Sequence, residues 1–263
     1  DMDGSTVKYS LTNSTDPADY SSTNPTVTDA TTGTTVYFMV TNPNYNPVFD
    51  SETITINPRT IRLTTEGAEK VYDTLPLTNP NWSYDSDNEG FVGAQGFNTA
   101  ATTGTITNVG TTNNGFSYTL NDVTKAANYT FDVTEGVLEV TKAKTLSVDA
   151  TDYSDKYDAD AHGVTASANV PGGTQIYYRT SYSGNPADYT LTTSPTATHV
   201  DDSAKVYFVA VNDNYEPAFG DALITILPRE ITLTGASQSA TYSGEALTNP
   251  LVTIGGDLFL DGE

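Results

Sequence analysis

Ile54-Thr55-Ile56-Asn57-Pro58-Arg59 decides the fold, because it returns 170 positions later as Ile224-Thr225-Ile226-Leu227-Pro228-Arg229. Apolar and polar side chains alternate through Thr53-Ile54-Thr55-Ile56, as a half-buried strand requires. The following proline fixes φ and keeps the residue before it out of the helical region. The repetition extends in both directions at the same offset. Val36-Tyr37-Phe38 returns as Val206-Tyr207-Phe208, Asn44-Tyr45-Asn46-Pro47 as Asn214-Tyr215-Glu216-Pro217, and Leu77-Thr78-Asn79-Pro80 as Leu247-Thr248-Asn249-Pro250. Pro17-Ala18-Asp19-Tyr20 matches Pro186-Ala187-Asp188-Tyr189 with a slip of one residue. Periodicity on this scale is the mark of a repeat architecture.

Each period is itself two halves. Phe116-Ser117-Tyr118-Thr119-Leu120, then Asn128-Tyr129-Thr130, then Gly136-Val137-Leu138-Glu139-Val140 follow the plan of Val36 to Ile56: a strand, an Asn-Tyr turn region and a closing alternating strand. Four units of about 85 residues are expected, bounded as 1–60 (partial), 61–142, 143–230 and 231–263 (partial). Turn signals such as Pro171-Gly172-Gly173 and Asn113-Asn114-Gly115 separate short runs rich in β-branched and aromatic residues. The fold class expected is all-β, with each unit a small sandwich (Ig-like) or β-grasp-like unit. Junctions of the Asn57-Pro58-Arg59 kind are short and stiff, without Gly/Ser linkers, so the units are expected to form an extended rod.

Charge narrows the partners. With 33 acidic against 11 basic side chains, the net charge of −22 repels nucleic acid and anionic lipid, both of which need Lys and Arg to displace counterions. Neither nucleic acid nor membrane insertion is expected; solubility and mutual repulsion are the plain consequence of such a charge. There is no cysteine, so stability is not drawn from disulfides. The sequons at Asn13, Asn81 and Asn128 read as coincidences of an Asn- and Thr-rich chain, and no signal peptide, spanning segment or sorting motif is visible.

The openings of the units, Tyr72-Asp73-Thr74-Leu75-Pro76-Leu77-Thr78, Tyr157-Asp158-Ala159-Asp160-Ala161-His162 and Tyr242-Ser243-Gly244-Glu245-Ala246-Leu247-Thr248, and the closings Gly136-Val137-Leu138-Glu139-Val140-Thr141 and Ile54 to Arg59 carry a likeness. They resemble the MBG-type (Mub B2-like) and YDG-type tandem repeats of Gram-positive and gut-bacterial surface adhesins, whose openings read YDG-x-x-L-T or YDG-x-x-H. The departures are Thr74 and Ala159 in the glycine position. The resemblance implies an extracellular, cell-wall-associated, adhesin-like repeat, with β-grasp as one architecture of the mucus-binding relatives.

Chemistry is sparse. Catalysis needs a positioned acid, base or nucleophile, and the only histidines are His162, inside an opening motif, and His199, which stands where the earlier repeat has Asp29. The chain is not expected to be an enzyme. Asp85-Ser86-Asp87-Asn88-Glu89-Gly90 matches positions 1, 3, 5 and 6 of an EF-hand loop, but Gly96 occupies position 12, where a bidentate Glu is required. Asp85, Asp87 and Glu89 are therefore weak Ca2+ candidates, and Asp152, Asp155, Asp158 and Asp160 have the same standing. No cofactor beyond Ca2+ is implied. An intramolecular Lys–Asn cross-link would need a buried Lys beside Asn and an acid, and neither Lys70 nor Lys205 recurs in the repeat (Ala240 and Thr35).

Trp82, Tyr177, Tyr178 and Tyr182 are the candidates for a surface contact, since exposed aromatic rings stack on sugars. Tyr37, Tyr207, Tyr45 and Tyr215 recur between repeats and read as packing residues. The functional expectation is a structural stalk that holds a binding tip away from the cell wall. Two alternatives stand beside it: low-affinity binding of host mucin glycans or matrix protein by the repeats themselves, multiplied by repetition, and self-association of edge strands into a surface fibre.

Overall fold

The computed structural model describes residues 4–85, 90–249 and 251–262. Its strands, in chain order, are β1 (Thr6–Ser10), β2 (Thr31–Asn42), β3 (Tyr45–Ile56), β4 (Arg59–Thr65), β5 (Ala68–Val71), β6 (Trp82–Tyr84), β7 (Phe97–Thr102), β8 (Gly110–Asn114), β9 (Phe116–Leu120), β10 (Tyr129–Thr134), β11 (Gly136–Thr141), β12 (Val148–Ala150), β13 (Tyr153–Lys156), β14 (Ala166–Ala168), β15 (Gln175–Arg179), β16 (Ala204–Asn212), β17 (Tyr215–Leu227), β18 (Ile231–Gly235) and β19 (Val252–Gly256). Among the described residues the only helical pieces are short 3₁₀ turns, such as Pro17–Asp19 and Pro186–Asp188. The protein is all-β. With no α-helix to lie across a sheet, the sandwich is the architecture these residues form, rather than the β-grasp. The strands fall into two compact units, Asp1–Lys70 with Thr74–Val140, and Val71–Asp73 with Thr141–Glu263.

In the second unit, sheet β13-β17-β16-β15 faces the ribbon β12-β14. Val206, Phe208, Ala222, Ile224 and Ile226 from the larger sheet meet Ala166 from the ribbon, together with Val164 and Ala197, in one buried cluster. Phe208 is fully buried. In the first unit, sheet β10-β4-β6 packs on the pair β7-β9. Ile61 and Leu63 of β4 and Tyr129 of β10 form the buried centre, capped by Trp82, Phe91, Phe97, Phe116 and Phe131. Along β4 the burial alternates, with Ile61, Leu63 and Thr65 inside and Arg62 and Thr64 outside, as period-two patterning requires.

Both sandwiches are closed the same way. The opening strand runs parallel to the closing strand: β4 beside β10, with Arg59 opposite Tyr129 and Leu63 opposite Val133, and β13 beside β17, with Tyr153 opposite Ile224. Asn128-Tyr129 and Asn214-Tyr215 both open closing strands, but by different routes. Asn212 to Tyr215 is a tight hairpin turn in which Asn212 Oδ1 accepts from Asn214 N at 3.0 Å, whereas Tyr129 follows a 3₁₀ turn over Ala126–Asn128. The closing segment of the first unit also changes sheets between β10 and β11. A Cβ at Gly136, where it crosses, would overlap the main chain of Glu66 and Gly67.

The sheet β1-β2-β3 repeats the plan of β15-β16-β17, but among the described residues no strand lies on the outer side of β3. Some of its apolar residues are more exposed than their counterparts. Ile54 is 37% exposed where Ile224 is 2%. Tyr45 is 76% exposed, while Tyr215 packs edge-on against Tyr72 at 5.4 Å. The expectation that Tyr45 is a packing residue therefore fails at the first copy, where nothing described covers it.

Two local features explain recurrent sequence. Thr74, Ala159 and Gly244, the third residues of the three opening motifs, have φ of 72°, 70° and 78°. The left-handed turn is thus kept whether or not glycine is present, at a cost of roughly 1–2 kcal/mol for an L-residue. Asn79 Nδ2 donates to the Gly67 carbonyl at 2.8 Å while its Oδ1 accepts from Asn81 N; Asn249 makes a similar pair, its Nδ2 to the Ala236 carbonyl one residue before the repeat position and its Oδ1 from Leu251 N. The recurrent Leu-Thr-Asn-Pro motif is this main-chain clamp.

Asn114, fully buried, holds the first unit's opening region together. Its amide nitrogen donates to the Glu66 and Asn79 carbonyls at 2.9 and 2.8 Å, and its Oδ1 accepts from Gly104 N at 3.2 Å. Thr65, also buried, donates from Oγ1 to the Asn114 carbonyl and accepts from Gly136 N. Asn114→Ala is expected to lower unfolding stability by about 3 kcal/mol, since it strands several buried main-chain groups, as read by denaturant melts. Ala159→Gly and Thr74→Gly are expected to raise it by about 0.5–1 kcal/mol each, the left-handed penalty less the entropy cost of glycine; an unchanged or lower midpoint would refute the strain.

Candidate functional site

The opening turn after β13 brings together His162, Asp158 and Tyr153. His162 Nε2 lies 2.9 and 3.1 Å from the two carboxylate oxygens of Asp158, and its ring stacks on Tyr153 at 4.4 Å. Asp158 Oδ1 also accepts from Asp160 N at 2.9 Å. The His162 contact, and after it the Asp160 amide, hold the Asp158 carboxyl below the usual carboxylate range. The His162 main chain pairs with Ala197 in both directions. The residue is bound as a staple of its turn, and no hydroxyl or thiol nucleophile stands against it in the contacts described.

The acidic cluster around it does not converge. Asp152 Oδ1 accepts from Leu223 N at 2.8 Å, and Asp155 Oδ1 from the adjacent Lys156 N at 2.7 Å. Asp152 thus addresses strand β17 and Asp155 its own main chain. Among the described residues no group of three or more His, Cys, Asp and Glu side chains could hold a metal ion. Of the Ca2+ candidates, Asp85 donates its main-chain N–H to the Arg62 carbonyl at 3.0 Å beside β4; Asp87 and Glu89 lie outside the described residues.

The aromatic candidates separate. Trp82 is half-buried and packs on Phe116 at 4.8 Å and Phe97 at 5.9 Å, inside the aromatic layer. Tyr178 is 7% exposed, with its hydroxyl accepting from Ala166 N at 3.1 Å in the core. Tyr177 leaves the opposite face of β15 and bonds Gln175 through its hydroxyl. Tyr182 is 64% exposed, edge-on to Tyr207 and Phe219 at about 6 Å. An open groove of about 520 Å³ lies along the same stretch, lined by Arg179, Asp188 and Leu191 among others, with Arg179 and Asp188 paired at 3.3 Å. Tyr182 alone of the four offers a ring to a partner. The first repeat has Asn13 at its place.

Sequence reasoning missed the contacts that stitch one repeat to the next. Arg229, closing the second repeat of the Ile-Thr-Ile-x-Pro-Arg motif, donates to the carbonyls of Tyr157, Leu258 and Asp257. The Asp257 carboxylate in turn binds Lys156 Nζ and Glu230 N, both at 2.8 Å, and is held below its ordinary range first by Lys156 and then by that amide. The earlier Arg59 donates to the Gly90 carbonyl at 3.2 Å. Beside it, Asp29 accepts from Asn128 and Lys125, at 3.0 and 2.7 Å, and both contacts lower its carboxyl, the Asn128 bond most. A cavity of about 260 Å³ lies here, lined by Ile56, Arg59, Gln95 and Tyr129 among others. Recurrence of the Pro-Arg pair was the available signal.

Asp158, Asp29 and Asp257 share one pH consequence. Each is ionised more readily in the folded chain, so its stabilising contribution is complete above the unfolded value, about 3.9, and is lost as pH falls through the lowered folded value. The melting temperature is expected to hold between pH 5 and 7 and to fall progressively below about pH 4. Asp158→Asn is expected to show a shallower decline; an identical slope would remove Asp158 from the acid response.

No family profile matches the chain, and no curated protein matches it. Among solved structures, it is similar to Sidekick-1 immunoglobulin domains 1–5 at 13% identity, covering 89% of this chain and 55% of that one, with a TM-score of 0.26. The extracellular domain of protocadherin GammaB4 is 10% identical over 94% of this chain and 47% of its own, at 0.33. Protocadherin Gamma B2 extracellular cadherin domains 3–6 are 10% identical over 86% and 68%, at 0.35. The chain spans about half the length of the first two. Superpositions of this quality say nothing of activity, and the all-β fold stands on the sheets described above.

Proposed function

We propose that this chain is a run of four tandem repeat units from an extracellular, cell-wall-associated adhesin, serving as a stalk that carries a binding tip. The observation that carries this reading is what recurs. Parallel closure by first and last strands, the Asn79/Asn249 clamp and a guanidinium-to-carbonyl contact from Arg59 or Arg229, though to different partners, return between repeats. Two exposed residues do not: Tyr182 answers to Asn13 and His199 to Asp29. A ligand site used by every repeat would keep its surface residues, whereas a spacer need keep only its stitches. The strong negative charge supports solubility and repulsion between neighbouring stalks.

The second reading, low-affinity binding of mucin glycans or matrix protein by the repeats, rests on the exposed ring of Tyr182 and on the separate groove lined by Arg179, Asp188 and Leu191. An array of mucins, glycans and matrix proteins probed with the recombinant chain, with and without calcium, separates the two. The stalk reading expects no specific binding, and a Tyr182→Ala chain indistinguishable from wild type. Saturable binding that Tyr182→Ala weakens tenfold or more would make the repeats adhesive themselves.

A further inference from the structure

Asn114-Gly115 is the only Asn-Gly pair in the sequence. Such a pair is chemically reactive. With no Cβ to shield it, a glycine main-chain nitrogen can attack the side-chain carbonyl carbon of the asparagine before it. Here a bond would form between Gly115 N and Asn114 Cγ, and the Cγ–Nδ2 bond would break. The Gly115 amide proton leaves with Nδ2 as ammonia, and a five-membered succinimide remains. Water then opens that ring at either carbonyl, giving aspartate or its β-linked isomer. One ammonia departs, one water enters, and no oxidation state changes.

The fold calls for both members of the pair and holds them apart from reaction. Asn114 is fully buried, with Nδ2 donating to the Glu66 and Asn79 carbonyls and Oδ1 accepting from Gly104 N. A Cβ on Gly115 would come within 2.7 Å of Thr103 Oγ1, while Thr103 N donates to the Gly115 carbonyl at 2.8 Å. Asn114 also ends strand β8, opposite Gly136 of β11. The succinimide ring requires a ψ that extended backbone does not hold. Turning Cγ toward Gly115 N would break all three side-chain hydrogen bonds in a site closed to solvent.

We propose that Asn114-Gly115 is a modification site gated by unfolding of the first unit, inert while the sandwich is closed and converted once the chain around it opens. The product does not fit the place it left. An aspartate at 114 sets an oxygen where Nδ2 now donates, against the Glu66 and Asn79 carbonyls, and buries a charge. The isomer inserts a main-chain carbon at the end of β8 and shifts its pairing with β11. It does so where Gly136 already leaves no room for a Cβ against the main chain of Glu66 and Gly67. Opening of this unit becomes irreversible through chemistry at one residue, without aggregation. The inference holds whether the chain is a stalk or an adhesive repeat.

The test is site-resolved mass spectrometry of the whole chain aged in mildly alkaline buffer, folded in one arm and unfolded in urea in the other. The peptide carrying Asn114 is expected to convert at least about a hundredfold faster in urea, since the reactive form in buffer is only the small unfolded fraction. The exposed pair Asn13-Ser14 is an internal reference whose rate is expected to differ little between the arms. Asn114→Asp, made directly, is expected to lower the folded-to-unfolded ratio at least about a hundredfold, failure to fold being the limit of the same result. Equal rates at Asn114 in the two arms overturn the proposal, as does an Asn114→Asp chain whose denaturation midpoint matches wild type.

Discussion

Everything in this fold turns on the parallel pairing of the first and last strands of a sandwich. A parallel ladder cannot be made by a hairpin; it needs the intervening chain to cross over and return. Once β4 is held beside β10, or β13 beside β17, the strands between them are committed to filling the space between two sheets. The buried clusters around Leu63 and Phe208 are the result. Where no described strand makes that pairing, at β3 and β18, several of the equivalent apolar residues are more exposed.

The polar residues divide by the same logic. Asn114 and Thr65 are buried and bonded to main chain, and Asn79 clamps main chain at the strand ends, so their identities are fixed by satisfiability. The carboxylates of Asp29, Asp158 and Asp257 sit at turns and between repeats, each partnered by one Lys or His side chain and one amide. Acids at such positions tie loops down; they are too dispersed to form a ligand shell.

Much of the fold was legible because repetition states it twice. The closing strands, the Asn-Tyr positions and the opening turns all stand where alternation and offset place them. The sandwich itself was open between two architectures, because period-two patterning reports that a strand has one buried face without saying what lies against it. Aromatic candidates fared unevenly for the same reason. Tyr177 and Tyr178 are neighbours in sequence but leave opposite faces of β15, and only three-dimensional packing puts Tyr178 in the core and leaves Tyr182 outside. The left-handed turn at Thr74 and Ala159 was visible only through Gly244, since neither threonine nor alanine advertises a positive φ.

Parallel closure also fixes how a unit meets tension. Because opening and closing strands run in the same direction, the chain enters the ladder at one end and leaves it at the other. A pull on the two ends of a unit therefore slides the two strands along each other and loads all the hydrogen bonds between Arg59–Thr65 and Tyr129–Thr134 together. An antiparallel pair joined at a hairpin would instead peel open one bond at a time. The direction of two strands, set by where Asn128-Tyr129 and Asn214-Tyr215 fall, converts a modest ladder into one that must fail in shear.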